Sequence, residues 1–188
     1  MTFKTTLMSA AAALAIAGAA QAEQHMAANP QVGGADMMAD MTIVENASNA
    51  PNLSTLVSAV QQAELVDTLS GEGPFTVFAP TDSAFEAVPA ETLDTVMMDE
   101  NREQLQGILT YHVVPGTYTA EDLMGAVEDG GGSAELETVA GGTLTAQMDG
   151  DALVVMDESG NTASVETADV MQSNGVVHVI DTVLMPSM

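Results

Sequence analysis

The chain has no cysteine and only two basic side chains, Lys4 and Arg102, in 188 residues. Without cysteine there is no disulfide, no thiolate metal site and no thiol nucleophile. Without clustered Lys and Arg, nothing can displace the counterions of nucleic acid or anionic lipid, and nothing pairs with a nucleotide's phosphates. The sequence also lacks a Gly-rich phosphate loop and a Gly-x-Ser-x-Gly elbow, which removes the usual nucleotide and serine-hydrolase signatures. What it has in quantity is acid. All 27 Asp and Glu residues follow Ala22. Such a surface serves solubility, or suits a saline medium in which ions screen the carboxylates from one another.

Lys4 precedes an apolar run from Leu7 to Ala20, and Ala20-Gln21-Ala22 is a small-x-small cleavage pattern. Residues 1–22 are therefore expected to be a secretory signal cut before Glu23, with a run too short to span a bilayer. The protein is then expected to be periplasmic or secreted, with no membrane insertion after cleavage. Losing Lys4 leaves one base against 27 acids, a net charge of −26. Residues 23–40, with Pro30 and Gly33-Gly34, are expected to be a flexible tail ahead of one domain over 41–186. The tail's His25, Met26, Met37, Met38 and Met41 could capture soft copper(I), but scattered methionine and a lone histidine are ordinary in a leader. No cofactor is expected.

Phe75-Thr76-Val77-Phe78-Ala79 is apolar on nearly both faces, as a buried central strand is. Pro80 ends it, and Thr81, Asp82 or Ser83 can cap the following helix, with Ser83 and Glu86 fitting a capping box. Gly175-Val176-Val177-His178-Val179-Ile180 again offers apolar residues to both faces. Two such strands about a hundred residues apart must complete one sheet.

Between them the periodicity is helical. Asn52 is a candidate N-cap for the stripe Leu53, Leu56, Val57 and Val60, and Leu65, Val66 and Leu69 make a second short helix. Leu105, Ile108, Leu109 and His112 share one face, so His112 points where leucines point and is expected to be buried and hydrogen-bonded to backbone. Val113-Val114 reads as a short strand, and Thr119 with Asp122 as a capping signature. From Leu136 the period becomes two, and Asp149-Gly150 between strand-like runs marks a hairpin. Helices early and strands late give an α+β class.

Phe75-Thr-Val-Phe-Ala-Pro-Thr-Asp-Ser-Ala-Phe85 and Ser173-Asn-Gly-Val-Val-His-Val-Ile-Asp181 resemble the two signatures of the fasciclin (FAS1) domain. Ile108 to Gly116 is similar to that family's Tyr-His segment. The resemblance implies a FAS1 β-wedge or sandwich of about seven strands flanked by short helices. It also implies a non-catalytic, exported role in cell adhesion or in binding a cell-surface protein, matrix or polysaccharide. Carried over residue by residue, it points to Tyr111, His112, Ile108 and Leu109 as binding residues, with Tyr111 able to pack its ring and keep its hydroxyl wet.

Other chemistries remain as alternatives. Asp149, Asp151, Asp157 and Glu158 crowd one hairpin end and could attract calcium, but lack EF-hand spacing and read as turn residues. A periplasmic carboxylate-based glycan hydrolase needs two facing carboxylates, which the sequence cannot single out among so many.

Overall fold

The computed structural model describes residues 30–186. The expected signal segment, with His25 and Met26, lies outside the described residues. A two-strand hairpin, β1 (Gln31–Val32) and β2 (Ala35–Asp36), leads into helices α1 (Ile43–Asn49), α2 (Ser54–Gln62) and α3 (Val66–Leu69). Strand β3 (Phe75–Pro80) follows, then α4 (Asp82–Ala87), α5 (Ala90–Val96), a 3-10 turn at Asp99–Asn101, and α6 (Arg102–Tyr111). After β4 (Val113–Pro115) and α7 (Ala120–Asp129) the chain is all strand: β5 (Ser133–Glu137), β6 (Thr143–Asp149), β7 (Ala152–Met156), β8 (Thr162–Gln172) and β9 (Gly175–Ile180).

The seven longer-range strands form one sheet in the order β4-β3-β9-β8-β7-β6-β5. Strands β3 and β9 pair in parallel, from Phe75 opposite Gly175 to Pro80 opposite Ile180. All the other pairs in the sheet are antiparallel. The sheet curls until the backbone N–H of Val139, just past β5, donates to the Val113 carbonyl of β4 at 2.8 Å. This is the α+β class expected from the residue pattern, in the wedge form that the resemblance implies.

The two-faced apolar character of β3 and β9 has a direct cause. Alternate side chains of a strand point to opposite faces, and here each face meets a different core. Val77, Ala79, Val177 and Val179 pack against Leu56, Val60 and Leu109 of the helical layer. Phe78 and Ile180 instead enter the interior of the wedge with Val114, Leu123, Leu144 and Val155.

Three local expectations are corrected. Residues 30–40 of the expected tail carry the β1–β2 hairpin, and Val32 and Met37 are core residues at 2% exposure, so the domain's packing begins before residue 41. Of the candidates Thr81, Asp82 and Ser83, Thr81 caps the helix after Pro80, so the box expected of Ser83 and Glu86 is not the one used. Thr81 keeps extended backbone and its hydroxyl accepts the Ala84 N–H at 3.3 Å, which leaves Ser83 inside the first turn. Asn52 does not cap α2. Asp82 does so from another element, accepting the Thr55 N–H at 2.8 Å and the Ser54 hydroxyl at 2.7 Å. By contrast Thr119 and Asp122 form the expected capping box on α7, and the Asp149-Gly150 hairpin joins β6 to β7.

Candidate functional site

Helix α6 is amphipathic, with Leu105 and Leu109 turned into the helical core and Ile108 half-buried beside them. It ends on Tyr111, and His112 is its C-cap residue. The segment expected to carry binding therefore lies at a helix terminus that feeds β4, the strand at the end of the sheet beside β3.

Tyr111 is fully buried, so the expectation of a wet hydroxyl is corrected. Its phenol donates to the Thr143 carbonyl at 2.9 Å and accepts the Glu158 N–H at 3.2 Å. Burial pushes its pKa above the ordinary value. A Cβ on Gly142 would come within 2.6 Å of the ring, so the loop before β6 is moulded onto the tyrosine. That loop and the β7–β8 turn are distant in sequence, and no local pattern near Tyr111 announces that they close over it.

His112 is 3% exposed, as its helical spacing suggests. Nδ1 donates to the Ile108 carbonyl at 2.8 Å, and Nε2 accepts the Leu184 N–H at 3.0 Å. The acceptor role of Nε2 fixes the tautomer, with the proton on Nδ1. Burial pushes the pKa down to about 4, so the ring is neutral near neutral pH. His178 repeats the arrangement with the nitrogens exchanged. Nε2 donates to the Tyr118 carbonyl at 2.8 Å, Nδ1 accepts the Asp169 N–H at 3.4 Å, and the ring stacks on Phe78 with centroids 5.6 Å apart. Burial again lowers the pKa. Of the four residues picked from the resemblance, only Ile108 keeps partial exposure. Leu109, Tyr111 and His112 brace the interior instead of presenting a contact surface.

The carboxylates divide in the same way. Asp157 is buried, and its two oxygens accept the N–H groups of Ser159, Asn161 and Met185 and the Asn161 side-chain amide, all at 2.8–3.0 Å. It organises the β7–β8 turn and ties it to the C-terminal segment, as turn chemistry requires. The expected acidic cluster is corrected: exposed Asp149 and Asp151 lie in the β6–β7 hairpin and Asp157 and Glu158 in the β7–β8 turn, with the length of β7 between them, and no group of three His, Asp or Glu placed to hold a metal occurs among the described residues. Glu45 and Asp122 are held below their ordinary pKa values by hydrogen bonds from Thr42 and Thr119, whose helices they help to cap. Burial pushes Asp82 up, but the hydrogen bonds from Thr55 and Ser54 outweigh it and leave the carboxyl low.

Beside these braces lie two kinds of space. A small apolar cavity of about 30 Å³ sits between α1, α2 and β3, walled by side chains such as Val44, Leu56, Val60 and Val77. An open cleft of about 560 Å³ lies where β3 and β9 begin, between the α3–β3 loop, the β4–α7 loop and the β8–β9 turn. Asn174 holds its rim. Its side chain accepts the Ile43 N–H at 3.1 Å and donates to the carbonyls of Leu69 and Gly71 at 2.7 and 3.2 Å.

Residues 51–186 match the model of the Fasciclin domain. The protein sll1483 of Synechocystis sp. is 49% identical over 149 residues, covering 79% of this chain and 75% of its own. The cell surface glycolipoprotein MPB83 of Mycobacterium bovis is 38% identical over 169 residues, 87% of this chain and 69% of its own. Among solved structures, the FAS1 domain pair from the insect cell adhesion molecule Fasciclin I aligns with a TM-score of 0.70 at 22% identity, over 77% of this chain. The chain spans 51% of that pair, and the likeness is one of fold.

Proposed function

The chain belongs to the fasciclin domain family, and from that membership we propose that it is an exported, non-catalytic module. It acts in cell adhesion or surface binding, in the periplasm or outside the cell, through a cell-surface protein, matrix or polysaccharide. One observation carries the reading. The interior side chains capable of acid-base or nucleophilic chemistry, His112, His178, Tyr111 and Asp157, have their hydrogen-bonding atoms tied to the protein's own backbone. Buried and so engaged, they hold the fold and present no reactive atom at the surface. The similarity to MPB83, a cell surface glycolipoprotein, supports a surface role.

The hydrolase reading asks for a carboxyl whose pKa is raised so that it can serve as general acid. Glu45, Asp82 and Asp122 are instead held below their ordinary values by hydrogen bonds. Copper capture by the leader loses Met37, which the core takes up.

The test is retention of the labelled protein on bacterial cells, matrix proteins and polysaccharides, with reducing ends assayed in the same wells. Retention without new reducing ends is expected. Sugar release proportional to protein concentration would overturn the non-catalytic reading.

A further inference from the structure

The cleft at the start of β3 and β9 combines a fixed frame with unspent polar groups. Its frame is backbone against backbone: a Cβ on Gly73 would overlap the Asn174 carbonyl oxygen, and one on Gly175 would overlap that of Phe75. The Asn174 side chain then ties α1, the α3–β3 loop and the β8–β9 turn to one another. Around this frame stand the exposed hydroxyls of Ser70, Thr117 and Ser173 and the carboxylate of Glu72. None of the four spends its side chain on a hydrogen bond within the protein, among the described residues. Exposed Pro74 and Met171, the latter 42% exposed, supply apolar surface between them.

The lining selects by chemistry. It has no basic side chain, so an anionic ligand would find no counter-charge in the cleft and a net negative protein around it. A wholly apolar ligand would strip water from hydroxyls and a carboxylate without replacing their hydrogen bonds. A neutral, hydroxyl-rich chain answers both conditions. Its hydroxyls donate to Glu72 and exchange hydrogen bonds with the serine and threonine hydroxyls, while its C–H faces pack on Pro74 and Met171. We propose that this cleft is a binding site for neutral saccharide chains. The inference rests on the surface-binding reading above and names the ligand class and the place.

The experiment measures binding of the purified protein to immobilised maltohexaose, cellohexaose, mannohexaose and chitohexaose, beside sulfated and sialylated oligosaccharides. Glu72→Ala, Thr117→Ala and Ser173→Ala are compared with Glu103→Ala, an exposed acid on α6 away from the cleft. Thermal midpoints confirm that each variant is folded. Binding to at least one neutral chain is expected, persisting in high salt and weakened about tenfold by Glu72→Ala, the scale of one hydrogen bond to a charged group. Thr117→Ala and Ser173→Ala should each weaken it by a smaller factor, and Glu103→Ala should not change it. Equal binding by all variants would overturn the assignment to the cleft, and capture of charged glycans alone would overturn the ligand class. If no saccharide binds while the protein still adheres to cells or matrix proteins, this inference fails and the adhesion reading stands. If nothing retains it, both fail.

Discussion

His112 and Leu184, 72 residues apart, meet at 3.0 Å, where the imidazole Nε2 accepts the Leu184 backbone N–H. With Nδ1 bound to Ile108, one neutral ring joins the end of α6 to the segment after β9.

That junction makes stability depend on pH in a defined window. Burial lowers the folded pKa of His112 to about 4, against an ordinary 6.5. Above pH 6.5 the ring is neutral in both states and its contribution is complete. Below 6.5 the unfolded chain takes up a proton that the folded ring refuses, so stability declines until about pH 4. The total loss from this group is about 3 kcal/mol, and His178 adds loss of the same sign. Glu45, Asp82 and Asp122 have lowered pKa values, so their contribution is present above their ordinary 4.5 and 3.8 and is lost only as pH falls further. Urea midpoints measured from pH 8 to pH 4 should fall mainly below 6.5. A flat profile down to pH 4.5 would contradict the neutral, buried histidines.

Tyr111→Phe keeps the ring and removes the hydroxyl that serves Thr143 and Glu158. Two backbone groups lose their partner, and a cost of about 2 kcal/mol is expected. Urea unfolding should show it, while surface retention of the folded variant stays as in the parent. Lost retention at unchanged stability would return Tyr111 to the contact surface.

Gly175→Ala should be severe, at more than about 3 kcal/mol, because the atom in the way is the Phe75 carbonyl oxygen of the paired strand and cannot rotate aside. Gly125→Ala is the matched control. It is exposed within α7 and its new methyl would meet nothing within 4 Å, so a gain of about 0.5–1 kcal/mol is expected from helix propensity. Thermal unfolding of the two variants checks both signs.

Added sodium chloride should raise the thermal midpoint. Arg102 pairs with Glu64 at 2.9 Å, but two basic residues cannot offset 27 acids, and mobile ions screen the remaining repulsion. A midpoint that does not rise on adding salt would remove self-repulsion as a factor in this fold.

The frame was legible where a local pattern determines the outcome. Strands β3 and β9 declare themselves because two buried faces require apolar residues at nearly every position, and Thr119 with Asp122 because both partners of the cap lie within one turn. Legibility failed where the partner comes from elsewhere in the chain. Asp82 caps α2 across 27 residues, and Tyr111 owes its burial to a loop and a turn 32 and 47 residues away. Val32 and Met37 lie among small and polar residues with too few apolar neighbours to show a period, yet both reach the core. The cleft is equally silent in sequence, since Ser70, Glu72, Thr117 and Ser173 belong to three separate connections.

The parallel partnership of β3 and β9 also governs when the molecule can exist at all. Neither hydrophobic compartment has its dividing wall until residue 180 is free to slide in beside Phe75–Pro80. A polypeptide threaded through a narrow channel with its N-terminus leading would stay pliable until Ile180 had cleared it, and would set into shape only on the far side.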